Sequence, residues 1–374
     1  MHLEEIIIQK IKESGPISFH DYMEMCLYYP SKGYYTSHTE RIGQHGDFYT
    51  SSSISSVVGA VIGRQLEEMW EKTGREEFSI VEYGAGTGRL CHDILDHLKN
   101  SAAFYERLTY YIIEKSPSMR SRQSSFNHEK VKWIDSIDKM AAFTGCVLSN
   151  ELLDNFAVHR VIMEDQLMEV YVDHKDGNFT ESLQPAGSEL VDYFQRQQIV
   201  LPTGHRTEVN LEAIQWLGEI ATSMKKGYVL TIDYGHQASD LYNEKRKEGT
   251  LLCFHKHQIN DKPFTNIGDQ DITSHVNFTA LSTWGESLGL QTCGFVTQAD
   301  FLQALGWEKL LMESVMGGAP DYTKYKQYAF LKYTMLMDMG QKFKVLLQSK
   351  RADRELRGCQ YALRQEVEGR PVTG

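Results

Sequence analysis

Between residues 78 and 149 short apolar runs alternate with amphipathic stretches. Phe78 to Tyr83, Tyr110 to Ile113, Val131 to Ile134 and Gly145 to Ser149 read as strands, and Gly88 to Asn100 and Ser116 to Phe126 as the helices between them. Strands that are apolar throughout, not only at alternate positions, are buried on both faces. The pattern therefore predicts an α/β fold, a parallel sheet with helices on both sides. Tyr228 to Asp233 adds a fifth strand of the same kind, and Gln291 to Val296 and Phe343 to Leu347 two later ones. Ahead of the sheet the pattern is helical. Met1 to Lys10 is amphipathic, a helix opens in Ile17 to Met23 with Ser18 as its N-cap, and a long one runs from Ser55 to Lys72. Pro30 and Gly33 make Tyr28 to Tyr35 a loop, its tyrosines packing in a lid.

Residues 157 to 183 break this rhythm with a meander of Val158 to Met163, Leu167 to Val172 and Asn178 to Leu183. Helices are expected over Glu208 to Met224, Val276 to Leu288 and Asp321 to Met335. The polar stretch from Gln237 to Asp271 is too long for an ordinary connection and reads as a functional insertion. The organisation expected is a helical and lid region over 1–75 and a core over 76–156 and 208–348 that carries an insertion at 237–275. An inserted meander and helix at 157–207 and a tail at 349–374 complete it.

Composition mainly excludes. Over 374 residues the net charge is −11, which argues against a nucleic-acid partner, because phosphate binding needs clustered Lys and Arg. No apolar run reaches the roughly 18 residues of a membrane span, so no membrane partner is expected. The start lacks a basic segment followed by an apolar one and carries Glu4 and Glu5, so neither a secretory signal nor a transit peptide is read there. Six scattered cysteines without a CxxC pair disfavour disulfides and structural zinc, and a cytoplasmic location is the expectation. Cys253, His255, His257 and Asp261 match no standard ligand spacing, so no metal is expected.

The candidate chemistry lies where strands end. The first strand runs into Glu82-Tyr83-Gly84-Ala85-Gly86-Thr87-Gly88. Three alternate glycines let the chain turn tightly and let a ligand approach the backbone. Arg89 stands where a dinucleotide fingerprint would have its third glycine, and the Gly-Lys-Ser/Thr ending of a phosphate loop is absent. The spacing suits a nucleoside with an amino-acid end, such as S-adenosylmethionine; a tight turn holding no ligand is the alternative. Glu114 ends the second strand, where an acid accepts ribose hydroxyls. Asp135 and Ser136 follow the third, within reach of an adenine amino group. The fourth runs into Asn150-Glu151-Leu152-Leu153-Asp154, with Asn150 on the cofactor side. Glu151 and Asp154 would share a face if this turn is helical, a clamp for a cationic acceptor such as arginine. Asp233 and His236 follow the fifth strand and could hold the acceptor and move its proton. Asp271 and His275 read as caps of the next helix, on the acceptor side.

These residues carry a resemblance. The chain resembles the MidA-like family of S-adenosylmethionine-dependent methyltransferases, which includes the mitochondrial complex I assembly arginine methyltransferase. The motifs that match are Tyr29-Pro30 to Tyr35, Gly46-Asp47-Phe48-Tyr49-Thr50-Ser51, the glycine turn, Asn150 to Asp154, Asp233-Tyr234-Gly235-His236, Asp271 to Phe278, and Met339-Gly340 to Val345. Departures are Ser52-Ser53, where the family has Pro-Glu, and Ala157, where it has proline. The resemblance implies a class I, Rossmann-like sheet of seven strands with the last antiparallel, a substrate-covering region, and S-adenosyl-L-methionine as cofactor. It also implies a protein acceptor methylated on arginine, with Asp47, Tyr49 and Thr50 on the acceptor side. Methylation of a small molecule or another side chain, or a non-catalytic assembly role, are the alternatives.

Overall fold

Each apolar run of the sheet region becomes a strand, and the central ones are sealed on both faces, whereas Val131–Ile134 at the edge is only partly covered. In the computed structural model of the chain, which describes residues 1–37, 55–124, 128–256, 258–316 and 321–360, Ile80, Val81, Cys146, Val147, Val229 and Leu230 are wholly buried. The chain divides into two compact units.

One unit takes the described residues of Tyr49–Leu152, Leu217–Tyr234 and Trp284–Gly374. Its strands are β1 (Phe78–Tyr83), β2 (Leu108–Ile113), β3 (Val131–Ile134), β4 (Phe143–Asn150), β5 (Met224–His236), β6 (Gln291–Thr297) and β7 (Phe343–Lys350). They lie in the order β6-β7-β5-β4-β1-β2-β3. The strands β1 to β5 pair in parallel, whereas β7 runs antiparallel to both β5 and β6. This is the class I arrangement that the resemblance implies. The last two residues of β5, Gly235–His236, fall in the other unit and pair there with the two-residue strand Val276–Asn277. The sequence pattern had given Val276 to a helix, which begins only at Phe278.

Helices cover this sheet and set the ends of its strands. Helix α1 (Ser56–Thr73) starts where the Ser55 hydroxyl accepts the Val57 amide and stops at Gly74 in a left-handed conformation. It packs on α2 (Arg89–Leu98), and the approach is close because glycine faces it: a Cβ on Gly59 would stand 2.5 Å from the Cβ of Asp93. A shorter helix, α3 (Pro117–Ser124), links β2 to β3. The terminal helical pattern of Asp321 to Met335 resolves into Tyr322–Tyr333 followed by a π turn, Thr334–Asp338.

The other unit takes the described residues of Met1–Phe48, Leu153–Trp216 and Gly235–Thr283. Its meander pairs in the order Ile17–Ser18, Leu167–Lys175, His159–Met163, Arg206–Val209, with Asn178–Pro185 beside Leu167–Lys175. Ile7, Phe19, Tyr22, Met23, Leu27 and Val172 form its core. Two expectations change here. Arg206–Val209 is a strand, so the helix expected from Glu208 begins at Leu211, after Asn210 accepts the Ala213 amide at 2.9 Å. The stretch from Gln237 to Asp271, read as irregular, contributes to a small antiparallel sheet of Leu252–His255, Gln258–Asn260 and Asp271–Thr273. Among the described residues no helix is long and apolar enough to cross a membrane.

A core position of β1 carries a carboxylate. Glu82 on β1 is buried and accepts the Tyr110 hydroxyl of β2 at 2.8 Å. Burial pushes its pKa up to about 7; the Tyr110 bond only partly opposes this. A folded pKa above the unfolded 4.5 means that the unfolded chain releases this proton first. Stability therefore falls as pH rises from about 4.5 through 7, and the loss is complete above that. Chemical denaturation at several pH values should find Glu82→Gln more stable than the parent at pH 8, by up to about 3 kcal/mol, and equal to it near pH 4. A constant difference across that range would show that folding leaves the Glu82 pKa where it is in the unfolded chain.

Candidate functional site

The turn after β1 needs glycine at three places. Gly84, Gly86 and Gly88 have φ of +63°, +53° and +79°, a region where other L residues are strained. The Gly84 amide donates to the Ile113 carbonyl at 2.9 Å, and the Gly88 amide to the Ala85 carbonyl at 2.8 Å. A Cβ on Gly84 would meet the Leu152 side chain at 2.7 Å, so bulk is excluded there as well as strained.

Beside this turn, at the end of β2, stands Glu114. Its Oε1 accepts the Ser116 amide at 2.9 Å, and its Oε2 accepts the Gln123 side-chain amide, also at 2.9 Å. Burial raises its pKa above the ordinary value, and N–H donation from Ser116, Gln123 and the Gly86 backbone pulls it back. An ionised carboxylate has about four acceptor positions, so these three donors leave room for one further hydroxyl bond, and a second hydroxyl must share a site. The end of β3 differs. Asp135 is exposed and paired with Arg120 at 2.9 Å, and the Ser136 hydroxyl donates to Asp138.

At the end of β4 the Asn150 amide donates to Glu151 Oε1 at 3.1 Å. Its Oδ1 is buried with no hydrogen-bond partner among the described residues. Glu151 itself has φ +54°, an uncommon conformation for a long side chain and a kind of strain that concentrates at functional sites. Its amide donates to the Ile232 carbonyl at 2.9 Å. The helical turn spans Leu153–Asn155 and excludes Glu151, so helical periodicity does not align Glu151 with Asp154. Asp233 and His236, expected to follow the fifth strand, both lie within β5, Asp233 opposite Lys344 of β7. Asp233 is wholly buried; its two oxygens accept the amides of Leu152 (3.1 Å) and Tyr234 (2.9 Å). It thereby fixes the chain just after Glu151.

The other unit holds the remaining acids and histidines. Asp154 and Asp271 are buried, at 5% and 2% exposure. Tyr35 donates its hydroxyl to Asp271 Oδ2 at 2.9 Å, Tyr28 donates to the Asn155 carbonyl at 3.1 Å, and the two rings stack with centroids 5.6 Å apart. Burial, reinforced by carboxylates that include Asp271, raises both phenols well above their ordinary pKa. The sequence reading had left these tyrosines as packing; their spacing of seven residues gave no sign of a shared polar task. The ring of His275 lies 5.1 Å from that of His236. Burial pushes the His275 pKa down to about 4, so it is neutral at physiological pH. Arg246 donates to His236 Nε2 at 3.0 Å; a guanidinium only donates, so this Nε2 carries no proton. Asp47, Tyr49 and Thr50 lie outside the described residues.

A family model described as "Putative S-adenosyl-L-methionine-dependent methyltransferase" matches residues 61–296. Over 90% of its length the chain is 28% identical to 82% of a Drosophila melanogaster protein named "Protein arginine methyltransferase NDUFAF7 homolog, mitochondrial". Over a similar share it is 26% identical to 81% of the Homo sapiens protein named "Protein arginine methyltransferase NDUFAF7, mitochondrial". A solved structure from Burkholderia thailandensis, bound to S-adenosyl-homocysteine, matches with a TM-score of 0.85 and 28% identity, covering 95% of this chain and 94% of that one. A native structure from the same organism gives 0.83 and 27%, over 96% and 94%. The cytoplasmic expectation is corrected by these relatives, which are named as mitochondrial; the composition of the first residues did not justify it. With well over half of its residues inside the family model, the chain belongs to the S-adenosyl-L-methionine-dependent methyltransferases and takes S-adenosyl-L-methionine as its cofactor.

Proposed function

We propose that the chain methylates a guanidinium nitrogen of an arginine in a protein acceptor. The observation that carries this reading is the likeness, over 90% of the chain, to relatives named protein arginine methyltransferases. S-adenosyl-L-methionine, when bound, supplies a methyl group already activated by its sulfonium. The residues of the sheet unit fit that molecule. Glu114 holds the ribose hydroxyls, the backbone of Gly84, Gly86 and Gly88 lies along the amino-acid end, and the unsatisfied Asn150 Oδ1 takes the ammonium. Asp135 and Ser136 serve the adenine; the exposed Asp135–Arg120 pair contributes under about 1 kcal/mol, so it yields readily. Glu82, two residues before the first glycine of the turn, ties β1 to β2 through Tyr110.

For the acceptor, charge is the main constraint. A free guanidinium has a pKa above about 12, so its proton leaves during or after attack and the nitrogen must be oriented meanwhile. In the sheet unit Glu151 is proposed to hold it, with Asp233 fixing the Glu151 turn through the Leu152 amide; in the other unit Asp154 is proposed as an acid for the same charge. Asp271 and the stacked Tyr28 and Tyr35 offer buried negative charge and aromatic faces, surroundings that favour a cation. Asp47, Tyr49, Thr50 and His275 complete the proposed acceptor side. His236 could move a proton only after releasing Arg246 from Nε2.

Calorimetry with S-adenosylhomocysteine should find the affinity of Glu114→Gln lower by roughly 10–100-fold, as expected when a charge-assisted bond is lost. Labelled methyl groups should enter intact protein and appear as methylarginine after hydrolysis. Glu151→Gln should cut that transfer about 100-fold or more while S-adenosylhomocysteine still binds normally. Label found in free metabolites, or on lysine alone, would overturn the arginine assignment.

A further inference from the structure

We infer that Gln123 is a positioning residue for the cofactor, a buried amide that locks the ribose-binding carboxylate to the glycine turn and to Trp133. The inference rests on the assignment of Glu114 to the ribose. Gln123 sits on α3, 1% exposed. Its Nε2 donates one proton to the Gly86 carbonyl at 2.8 Å and the other to Glu114 Oε2 at 2.9 Å. Its Oε1 accepts the indole N–H of Trp133, on β3, at 3.1 Å. Both donors and the acceptor are thus used, across groups that follow β1, end β2 and sit within β3.

The orientation of this amide is not free. Turning it over would set its oxygen against the Gly86 carbonyl and a carboxylate and would strand the Trp133 donor. Burial makes each such loss costly, because no water replaces the missing partner. The Glu114 carboxylate is consequently pinned at both oxygens, by Ser116 on one side and Gln123 on the other, and its remaining lone pairs have fixed directions. A diol meeting this carboxylate does not have to order it first, which is the advantage of preorganisation. Next to the amide is an apolar recess lined by Gly88, Cys91, Leu95, Ile112, Val131 and Trp133. Trp133 therefore connects the polar lock to an apolar wall. N–H donation from Gln123 also favours the ionised form of Glu114, against the effect of burial.

Two substitutions separate positioning from bulk packing. Gln123→Met keeps the size and removes every bond. Gln123→Glu keeps the shape and replaces the donors by a second carboxylate facing Glu114. At low pH this pair shares a proton and a donor is restored; at high pH both are charged and repel. Titration calorimetry of the full chain with S-adenosylhomocysteine should show the parent affinity nearly level from pH 6 to 8.5. Gln123→Met should bind at least tenfold more weakly throughout, and Gln123→Glu should lose several-fold more affinity at pH 8.5 than at pH 6. The ligand-induced change in indole fluorescence, assigned by difference with Trp133→Phe, should shrink in both variants. Should Gln123→Met not fold, the pH profile of Gln123→Glu decides alone. Parent-like affinity in the folded variants, or a loss by Gln123→Glu that is the same at both pH values, overturns the inference while leaving the ribose assignment intact. Failure of the parent itself to bind S-adenosylhomocysteine overturns that assignment and the inference together.

Discussion

Parallel strands end on one edge of a sheet, and at that edge backbone and side-chain groups distant in sequence are brought together. In the sheet unit the constraint on which the rest depends is the seating of the Glu114 carboxylate against the glycine turn. Gly84 is tied to the end of β2 through Ile113, Gly86 is tied to Gln123, and Gln123 is tied to Glu114. None of these bonds forms unless β1 and β2 pair in the observed register, Tyr83 opposite Ile113. The register in turn is held by close packing of side chains such as Ile80 and Val81, because a one-residue slip would drive each into a space shaped for another.

A second constraint acts at β4 and β5. Glu151 occupies a left-handed conformation that a glutamate does not adopt unaided. Its neighbours compensate: the Glu151 amide reaches the Ile232 carbonyl, and the buried Asp233 accepts the Leu152 amide. Strain costing of order 1–3 kcal/mol is tolerable when such bonds over-determine the backbone. The acid in the motif is thereby aimed by a second acid that does not itself reach solvent.

The other unit gathers its negative charge differently. Asp154 and Asp271 are buried with two stacked tyrosines, and the histidine pair beside Arg246 is held neutral at His236 Nε2 and at His275. Aromatic faces near buried carboxylates make an environment that rewards a cation and penalises an anion.

The sequence alone determined the sheet. Runs such as Phe78–Tyr83 and Val131–Ile134 match the observed strands to the residue, although only the first is a buried central strand; the second is an edge strand with Lys132 exposed. The glycine turn, and acids after successive strands, were equally legible, since their chemistry is local. Where the periodicity was ambiguous it misled: Glu208 and Val209 read in sequence as the start of a helix but end the strand Arg206–Val209, which pairs with His159–Met163, and Val276–Asn277 is a strand for the same reason of tertiary pairing. Tertiary structure also decided side-chain direction. Asp135 follows a strand as expected yet points to solvent toward Arg120, whereas Tyr35 seats its hydroxyl on Asp271, 236 residues away. Gln123 bonds to groups 37, 9 and 10 residues distant. Periodicity reports which face of an element is apolar; only the packed fold fixes which distant polar atoms that face brings within hydrogen-bonding reach.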